Sequence, residues 1–581
     1  MLNTSNDQRK LLPNFDQLFA TTAQAPGGVA RLRELILTLA VQGKLVPQDA
    51  NDEPASELLK KIRAEKDRLI AIGKIKRDKP LAAITEQEKP FEMPVGWEWT
   101  PLGEVIDVIR GITFPANEKT REPAEGRIAC LRTANIQQEV EWHDMLYVSN
   151  DFISREEQEL KDADIVMSMA NSRELVGKVA LVRGIPTGLA TFGGFLSVLR
   201  PYFLAPVYVM NVLRTSYARS ILIDSASQTT NIANISLAKL RPLAFPLPPL
   251  AEQSRIVARV EELMRLCDAL EEKGRLEHTQ HQQLLQALLD SLTQTTNAHE
   301  LARHWQRLAQ HFDLLIDRPE AVDALEQTIL QLAVRGLLVE QDASDEPASE
   351  LLKKIRAEKD RLITEGKIKK DKKTSLNDKS VKPFPLPNGW VWASFPELGE
   401  FGRGKSKHRP RNDPQLFDPP IYPLIQTGEV ARAKRIINEV HSKYSDFGLA
   451  QSRLWPKGTL CITIAANIAD AAILGFDACF PDSVVGFIPF SEKETNNYYL
   501  AFMETAKAEI SAYAPATAQK NINLEILESI RIPIPPLAEQ SRIVARVTEL
   551  RALCQRLRDK LTQARRTQTQ LAQAWVEQAA A

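Results

Sequence analysis

The chain of 581 residues has no run of about 18 uninterrupted apolar residues, because Arg200 or a proline interrupts each of its longest hydrophobic stretches, and a membrane-spanning helix is therefore not expected. Met1–Lys10 is polar and lacks the apolar segment of a secretory signal. Cysteine is sparse and odd in number: Cys130, Cys267, Cys461, Cys479 and Cys554 form no C-x-x-C pair, which argues against a disulfide scaffold and against zinc ribbons. There is no excess of either charge, with 74 basic against 74 acidic residues, so any nucleic-acid surface has to be local. Hydrophobic residues at 44% and charged residues at 25% exclude wholesale disorder, and the length allows roughly four domains. These features together lead us to expect a cytoplasmic protein with several cores.

What the chain does have is an internal repeat. Asp52–Ile70 (DEPASELLKKIRAEKDRLI) recurs unchanged as Asp345–Ile363, an offset of 293 residues, and the match extends upstream through Leu39–Val46 and Leu332–Val339. At the same offset Pro94, Gly96, Trp97 and Trp99 return as Pro387, Gly389, Trp390 and Trp392. A third block, PPLAEQSRIVARV, stands at Pro248–Val260 and again at Pro535–Val547, now 287 residues apart. Between these blocks Leu102–Phe245 and Leu398–Ile534 differ widely while keeping a skeleton: IVMSMAN at Ile165–Asn171 faces LCITIAAN at Leu460–Asn467. Divergent modules on unchanged supports suit a protein that reads two different things. A duplication that simply drifted leaves the constancy of the flanks unexplained.

After PLPPLAEQ, the apolar residues Ile256, Val260, Leu263, Cys267 and Leu270, resuming at Leu284 and Leu288, follow a 4,3 spacing. So do Ile543, Val547, Leu550, Cys554, Leu557, Leu561, Leu571 and Trp575. This spacing predicts two coiled-coil helices of about 40 residues, each about 60 Å long. The repeated block reads as a shorter helix capped by Asp52 or Asp345, with Leu58, Leu59, Ile62 and Leu69 on its apolar side and a charged face opposite. Lys74–Pro80 and Lys367–Lys382 read as charged linkers. The modules mix strands (Ile165–Met169, Val179–Val182, Leu460–Ile464) with helices at Val207–Ala218 and Asn496–Ser511.

Two catalytic signatures are present in form only. Gly399, Gly404, Lys405 and Ser406 satisfy G-x-x-x-x-G-K-S, but Pro410 and Pro414 fall inside the helix a phosphate-binding loop requires. Asp418-Pro419-Pro420-Ile421 lacks the aromatic residue of an amino-methyltransferase D-P-P-Y motif. His278 and His281 have no ligand to complete a metal site and read as polar breaks in a helical seam. No catalytic residue and no metal site is expected.

Side chains able to read bases or hold phosphate do occur in loop-like places. In the first module these are Arg110, Lys119, Arg121, Arg132, Asn135, Asn171, Arg173 and Gln228. In the second they are Arg403, Lys405, Lys407, His408, Arg409, Arg411, Gln426, Asn467, Gln519 and Lys520. Arg can bond guanine in two places, Asn or Gln adenine, and Lys and Arg neutralise phosphate. The run Arg403–Arg411 is the densest.

The PPLAEQSRIVARV block leading into a long helix, the P-x-G-W-x-W motif, and two divergent modules between repeated flanks resemble the specificity subunit of a type I restriction-modification enzyme. The N-terminal sequence LNTSNDQRKLLPNFDQLF followed by DEPASELLKKIRAEKDRLI resembles the subfamily with extended conserved regions. The resemblance spans essentially the whole chain. It implies a mixed α/β architecture in which two α/β target recognition domains are separated by long antiparallel coiled-coil helices, with a pseudo-twofold internal repeat. The expected segments are a helical region at 1–93, recognition domains at 94–245 and 387–534, a central helical region at 246–386 and a C-terminal helix at 535–581. By the same resemblance each recognition domain reads half of a bipartite site in double-stranded DNA. Two modification subunits carry S-adenosylmethionine and methylate adenine, and two restriction subunits use ATP and Mg; this chain binds no cofactor and touches no membrane. A scaffold that clamps two copies of a partner without DNA is the competing expectation.

Overall fold

The computed structural model describes residues 15–77, 79–186, 188–224, 227–228, 233–295, 298–368, 384–491, 495–512 and 522–580. The chain folds as two compact units, one comprising Met1–Glu277 with Arg565–Ala581 and the other His278–Ala564. Among the described residues no helix is long and apolar enough to cross a membrane.

Each unit is built on a frame of helices whose locks are the repeated sequence blocks. In the first, the helix Gly28–Val41 buries Leu32, Leu35, Ile36 and Leu39 along one face. It ends where Gly43 turns left-handed at φ 69° and Lys44 N–H reaches back to Leu39 O at 2.9 Å. A Cβ on Gly43 would lie 2.4 Å from Pro94 Cγ, and Gly336 stands in the same relation to Pro387 at 2.6 Å. That close approach joins the L-A-V-x-G block to the P-x-G-W block.

The next helix, Ala55–Ala71, starts without a side-chain cap. The expected cap, Asp52, instead binds Arg255 at 2.5 Å, and the free amide of Ala55 is satisfied by Gly96 O at 2.9 Å. Trp97 Nε1 donates to Glu252 at 2.9 Å. The second frame repeats every lock: Asp345 with Arg542 at 2.6 Å, Ala348 N–H to Gly389 O at 2.8 Å, and Trp390 Nε1 to Glu539 at 3.0 Å. Three stretches far apart in sequence thus meet at one point, so a change in any one would strand a partner in the others.

The two long arms are helices Leu250–Thr293 and Leu537–Ala580, 44 residues each and therefore about 66 Å long. Ile256, Val260, Leu263 and Cys267 are buried as the 4,3 spacing predicts. Further along, the expected seam residue Leu284 is 55% exposed, and Leu285, Leu289 and Leu292 are buried instead. The second arm makes the same shift, with Leu571 exposed and Ala572 buried. Cys267 to Leu285 and Cys554 to Ala572 each span 18 residues, which is five turns of a straight helix at about 3.6 residues per turn. Between the two buried stretches of the first arm, Glu271–Gln280 has no buried side chain. In the second unit Leu285, Leu289 and Leu292 share a core with Cys554 and the helix Pro319–Val334. His281 and His278 fasten the first arm's end there, His281 Nε2 to Leu314 O at 3.2 Å and Arg318 to His278 Nδ1 at 2.8 Å.

Each module is closed by its own first and last strands, Glu98–Pro101 against Ala244–Leu247 and Val391–Ala393 against Ile532–Ile534, both antiparallel. Inside the first lie a four-stranded sheet in the order Ile106–Arg110, Leu196–Pro201, Ile165–Ser168, Val179–Leu181, and a three-stranded sheet with Arg127–Leu131 at its centre. Their facing sides bury Ile109, Leu131, Phe192 and Val198 together. The second module carries a five-stranded sheet, Gly399–Arg403, Val484–Pro489, Leu460–Thr463, Ala471–Leu474, Ile436–Ile437, in which only the last pair is parallel. The helix expected at Val207–Ala218 is two, Pro206–Arg214 and Ser216–Asp224, because Thr215 turns extended and its hydroxyl accepts from Ala218 N–H. Asn496–Ala512 is continuous. Tyr208 and Tyr498 seat these helices on the closing strands through Pro246 O and Pro533 O, at 2.9 and 2.5 Å.

Candidate nucleic-acid interface

The same end of the main sheet carries candidate base-reading groups in both modules. Arg110 closes its strand opposite Ser197, Ser197 pairs with Met167, and Met169 N–H bonds Phe195 O. This register brings Arg110, the Gly193–Phe195 turn and Asn171 to one edge. Asn171 also lies in a small sheet opposite Ala233, which is opposite Gln228, so two amide-bearing residues share that sheet. Arg173, two residues on, is exposed and lies 3.7 Å from Asp224. In the second module Arg403 closes the equivalent strand opposite Val485, Val485 pairs with Ile462, and Ile464 N–H bonds Ser483 O. Exposed Asn467 follows in the same loop.

The basic loop after Arg403 is held open by its own backbone. Lys405 N–H goes to Phe480 O at 3.1 Å, and the amides of Lys407 and His408 both go to Gln451 Oε1 at 2.5 and 3.0 Å. The amides that a phosphate-binding loop would aim at a ligand are thus used, and the first helical turn, Pro414–Leu416, comes only after Asp413. His408 bonds Asp413 at 2.7 Å, whose carboxyl is held below its ordinary range by the Gln415 amide first and His408 second. Arg411 pairs with Asp482 at 3.1 Å, and Arg409 bonds Ser406 O at 2.8 Å. Arg403, Lys405 and Lys407 are exposed, and among the described residues no carboxylate pairs with them.

Several expected contacts are spent on the fold. Asn135 is 3% exposed: its Oδ1 accepts from Arg132 N–H at 3.0 Å and its Nδ2 donates to Glu141 O and His143 O. It is a turn-forming residue, a correction that the polar pattern T-A-N after a strand could not supply. In the equivalent turn the backbone N–H of Gln426 donates to Glu429 Oε2 at 3.1 Å, and the Gln426 side chain stays exposed. Arg132 and Arg121 both bind Asp144, at 2.8 Å each, and hold its carboxyl below the ordinary range. Arg110 and Lys119 are exposed. Gln519 and Lys520 lie outside the described residues, and of Gln228 only the backbone position is described. One residue escaped the sequence reading. Phe195 is 66% exposed at the tip of the turn between two strands. The signal was there in Gly193-Gly194-Phe195, an aromatic residue on a glycine turn, but it reads as a buried strand end without the sheet. All five cysteines are buried and unpaired, and burial pushes the Cys130 thiol up to about 12. Among the described residues no group of ligating side chains could hold a metal ion.

Residues 94–279 and 387–564 match the family model described as the type I restriction modification DNA specificity domain. The chain is 34% identical, over 95% of its length and 94% of theirs, to two proteins of Escherichia coli, the type I restriction enzyme EcoEI specificity subunit and the EcoAI specificity subunit. Its fold resembles a solved chain from a study of complex assembly and conformational transition in the type I R-M system, with TM-score 0.50 and 18% identity over 84% of this chain and 99% of that one.

Proposed function

From the premise that the chain belongs to the type I restriction-modification DNA specificity family, we propose that it is the subunit that selects the DNA sequence on which its partners act. The recognition modules are residues 94–245 and 387–534, and each reads one half of a bipartite site. The observation that carries this reading is the pairing of unlike modules with like supports: the frames repeat lock for lock, while the sheet ends present Arg110, Phe195 and Asn171 in one module and Arg403, Lys405, Lys407 and Asn467 in the other. Unpaired Lys and Arg neutralise phosphate and fix the register, and Arg, Asn and Gln side chains at base edges carry the sequence. An exposed apolar ring on a glycine turn suits a contact with a thymine methyl group or a widened base step.

The chemistry then belongs to partners: modification subunits with S-adenosylmethionine for adenine methylation, and restriction subunits with ATP and Mg, two of each, in the cytoplasm. This chain acts without a cofactor and without a catalytic residue of its own. The DNA-independent scaffold is the weaker reading, since it assigns no purpose to the divergence of the two sheet ends.

The test is a module transplant. Replacing residues 387–534 with residues 94–247 keeps the closing strand pair, Glu98–Pro101 with Ala244–Leu247, and both flanking locks at the junctions. With its partners bound, the chimera should methylate a site built from the first half-site twice, mapped by sequencing modified adenines. Each lost base pair of the second half-site is worth about 1 to 3 kcal/mol, so the change of target will be complete. A chimera that binds its partners and still modifies the original asymmetric site would place recognition outside these modules.

A further inference from the structure

The two frames differ in the sign of the charges that face each other across them. In the first, Arg33 on the helix Gly28–Val41 meets Asp268 and Glu271 of the first arm at 2.6 and 2.8 Å. The repeat offsets turn Arg33 into Glu326 and Glu271 into Arg558. These two meet in the second unit at 2.9 Å with their signs exchanged. Asp323, where the first frame has Ala30, adds a contact of 2.7 Å to Arg558. Arg551, where the first arm has Met264, binds Glu326 at 3.0 Å and Glu504 at 2.6 Å. Glu504 itself stands where the first module, aligned on Tyr208 and Tyr498, has Arg214. The first frame thus puts a basic helix on an acidic arm, and the second an acidic helix on a basic arm.

The three locks and the apolar seats are common to both frames. The Trp–Glu, Asp–Arg and Ala–Gly locks are the same pairs, and the buried apolar positions correspond: Leu32 with Leu325, Ile36 with Ile329, Cys267 with Cys554. A helical segment of residues 319–364 would therefore fit the first module's locks as well as residues 28–71 do. Its charges would not fit, because Asp323 and Glu326 would face Asp268 and Glu271. In the converse exchange Arg33 would face Arg551 and Arg558. Unlike the exposed i,i+3 pairs along the helices, the second set is partly shielded, with Arg551 and Glu326 at 14% and 24% side-chain exposure, which strengthens the discrimination.

We propose that these inverted charges are a pairing code. They assign each helical segment to its own module, and they keep one copy of the chain from exchanging segments with a second copy. The apolar locks supply the affinity and the charges supply the choice.

A photo-cross-linking residue at Ala30 of the full-length chain reads the pairing, because captured peptides identify the arm it faces. The native chain should capture the first arm, around Glu271, over the second by at least about tenfold. Recoding the first frame to the second frame's signs, with R33E, D268Q and E271R, should lower that ratio to about one and give cross-links between isotopically light and heavy chains refolded together. Exchanging the second frame's signs as well, with D323A, E326R, R551M, Q555D and R558E, should restore single-arm capture and remove the links between chains. The neutral chain R33Q/D323A/E326Q carries no repulsion that could prevent folding and should also lose discrimination. Faithful capture by the recoded and neutral chains, or an exchanged chain as promiscuous as the recoded one, would overturn the code.

Discussion

Replacing Trp97 by Phe removes one hydrogen-bond donor from the point where three repeated blocks meet. Glu252 is 1% exposed and holds two donors, Trp97 Nε1 on one oxygen at 2.9 Å and Gln48 Nε2 on the other at 3.2 Å. A hydrogen bond to a charged group contributes about 1.5 to 3 kcal/mol, and the shrunken ring adds about 1 kcal/mol of lost packing, so W97F should cost about 3 kcal/mol. That is roughly a hundredfold in the local opening equilibrium. The second frame should be more sensitive. There Gln341 donates to Gly336 O, and among the described residues Glu539 Oε1 has no hydrogen-bond partner, leaving Trp390 as the carboxylate's donor. W390F should therefore cost about 1 kcal/mol more than W97F. Hydrogen-exchange mass spectrometry on the full chain reads each frame separately: peptides from 28–41, 55–71 and 250–263 for W97F, and from 319–334, 348–364 and 537–550 for W390F. Pairing W97F with E252Q should recover part of the loss, since a neutral amide is cheaper to leave short of a partner. Changes below about threefold in both variants, or W97F exceeding W390F, would refute the account of these locks.

The same two carboxyls set a pH dependence. Burial raises the pKa of both Glu252 and Glu539 above the ordinary value, opposed in part by the tryptophan hydrogen bonds. The folded chain therefore binds these protons more tightly than the unfolded one, and their contribution to stability grows as pH falls through the raised pKa. Relative to an E252Q/E539Q chain, the native chain should gain melting temperature between pH 7 and 5, and a pH-independent difference would refute this. Asp144 and Asp413, whose pKa values are lowered, act in the opposite sense and only below the ordinary carboxylate range. On the recognition side, K405A and K407A should each weaken DNA binding by the assembled complex about equally on every sequence. Each should also lower the slope of log affinity against log salt by about 1, and an unchanged slope would remove these lysines from the phosphate contact.

Much of the frame was legible because its signals are local or exact. A 19-residue block repeated without change, a 4,3 spacing of apolar residues and a tryptophan motif at a constant offset need no folding to be seen, and the arms, the shorter helices and the two modules follow from them. The cap expected at Asp52 failed for a reason no local pattern contains: Arg255, 203 residues away, holds that carboxylate. The seam was misplaced by one residue at Leu284 and Leu571, because a heptad count carries one register along the whole arm, whereas the two buried stretches of each arm belong to different units. At the interface, residue type was the only signal. It could list Asn135 beside Asn171, but only the turn that folds over Asn135 tells a capping amide from a presented one.

Composition and spacing by themselves determined that the chain has two copies of one support and two unlike modules, since both are comparisons of the sequence with itself. The tertiary structure decided which pairs of blocks touch, which end of each sheet gathers Arg110 with Asn171 and Arg403 with Asn467, and that Phe195 faces outward. It also decided that Arg33 and Glu326 are counterparts of opposite sign, each facing the opposite charge on its own arm. A difference of one charge in a repeat looks like drift until its partner is located, and the partners lie more than 200 residues away, where only packing brings them together.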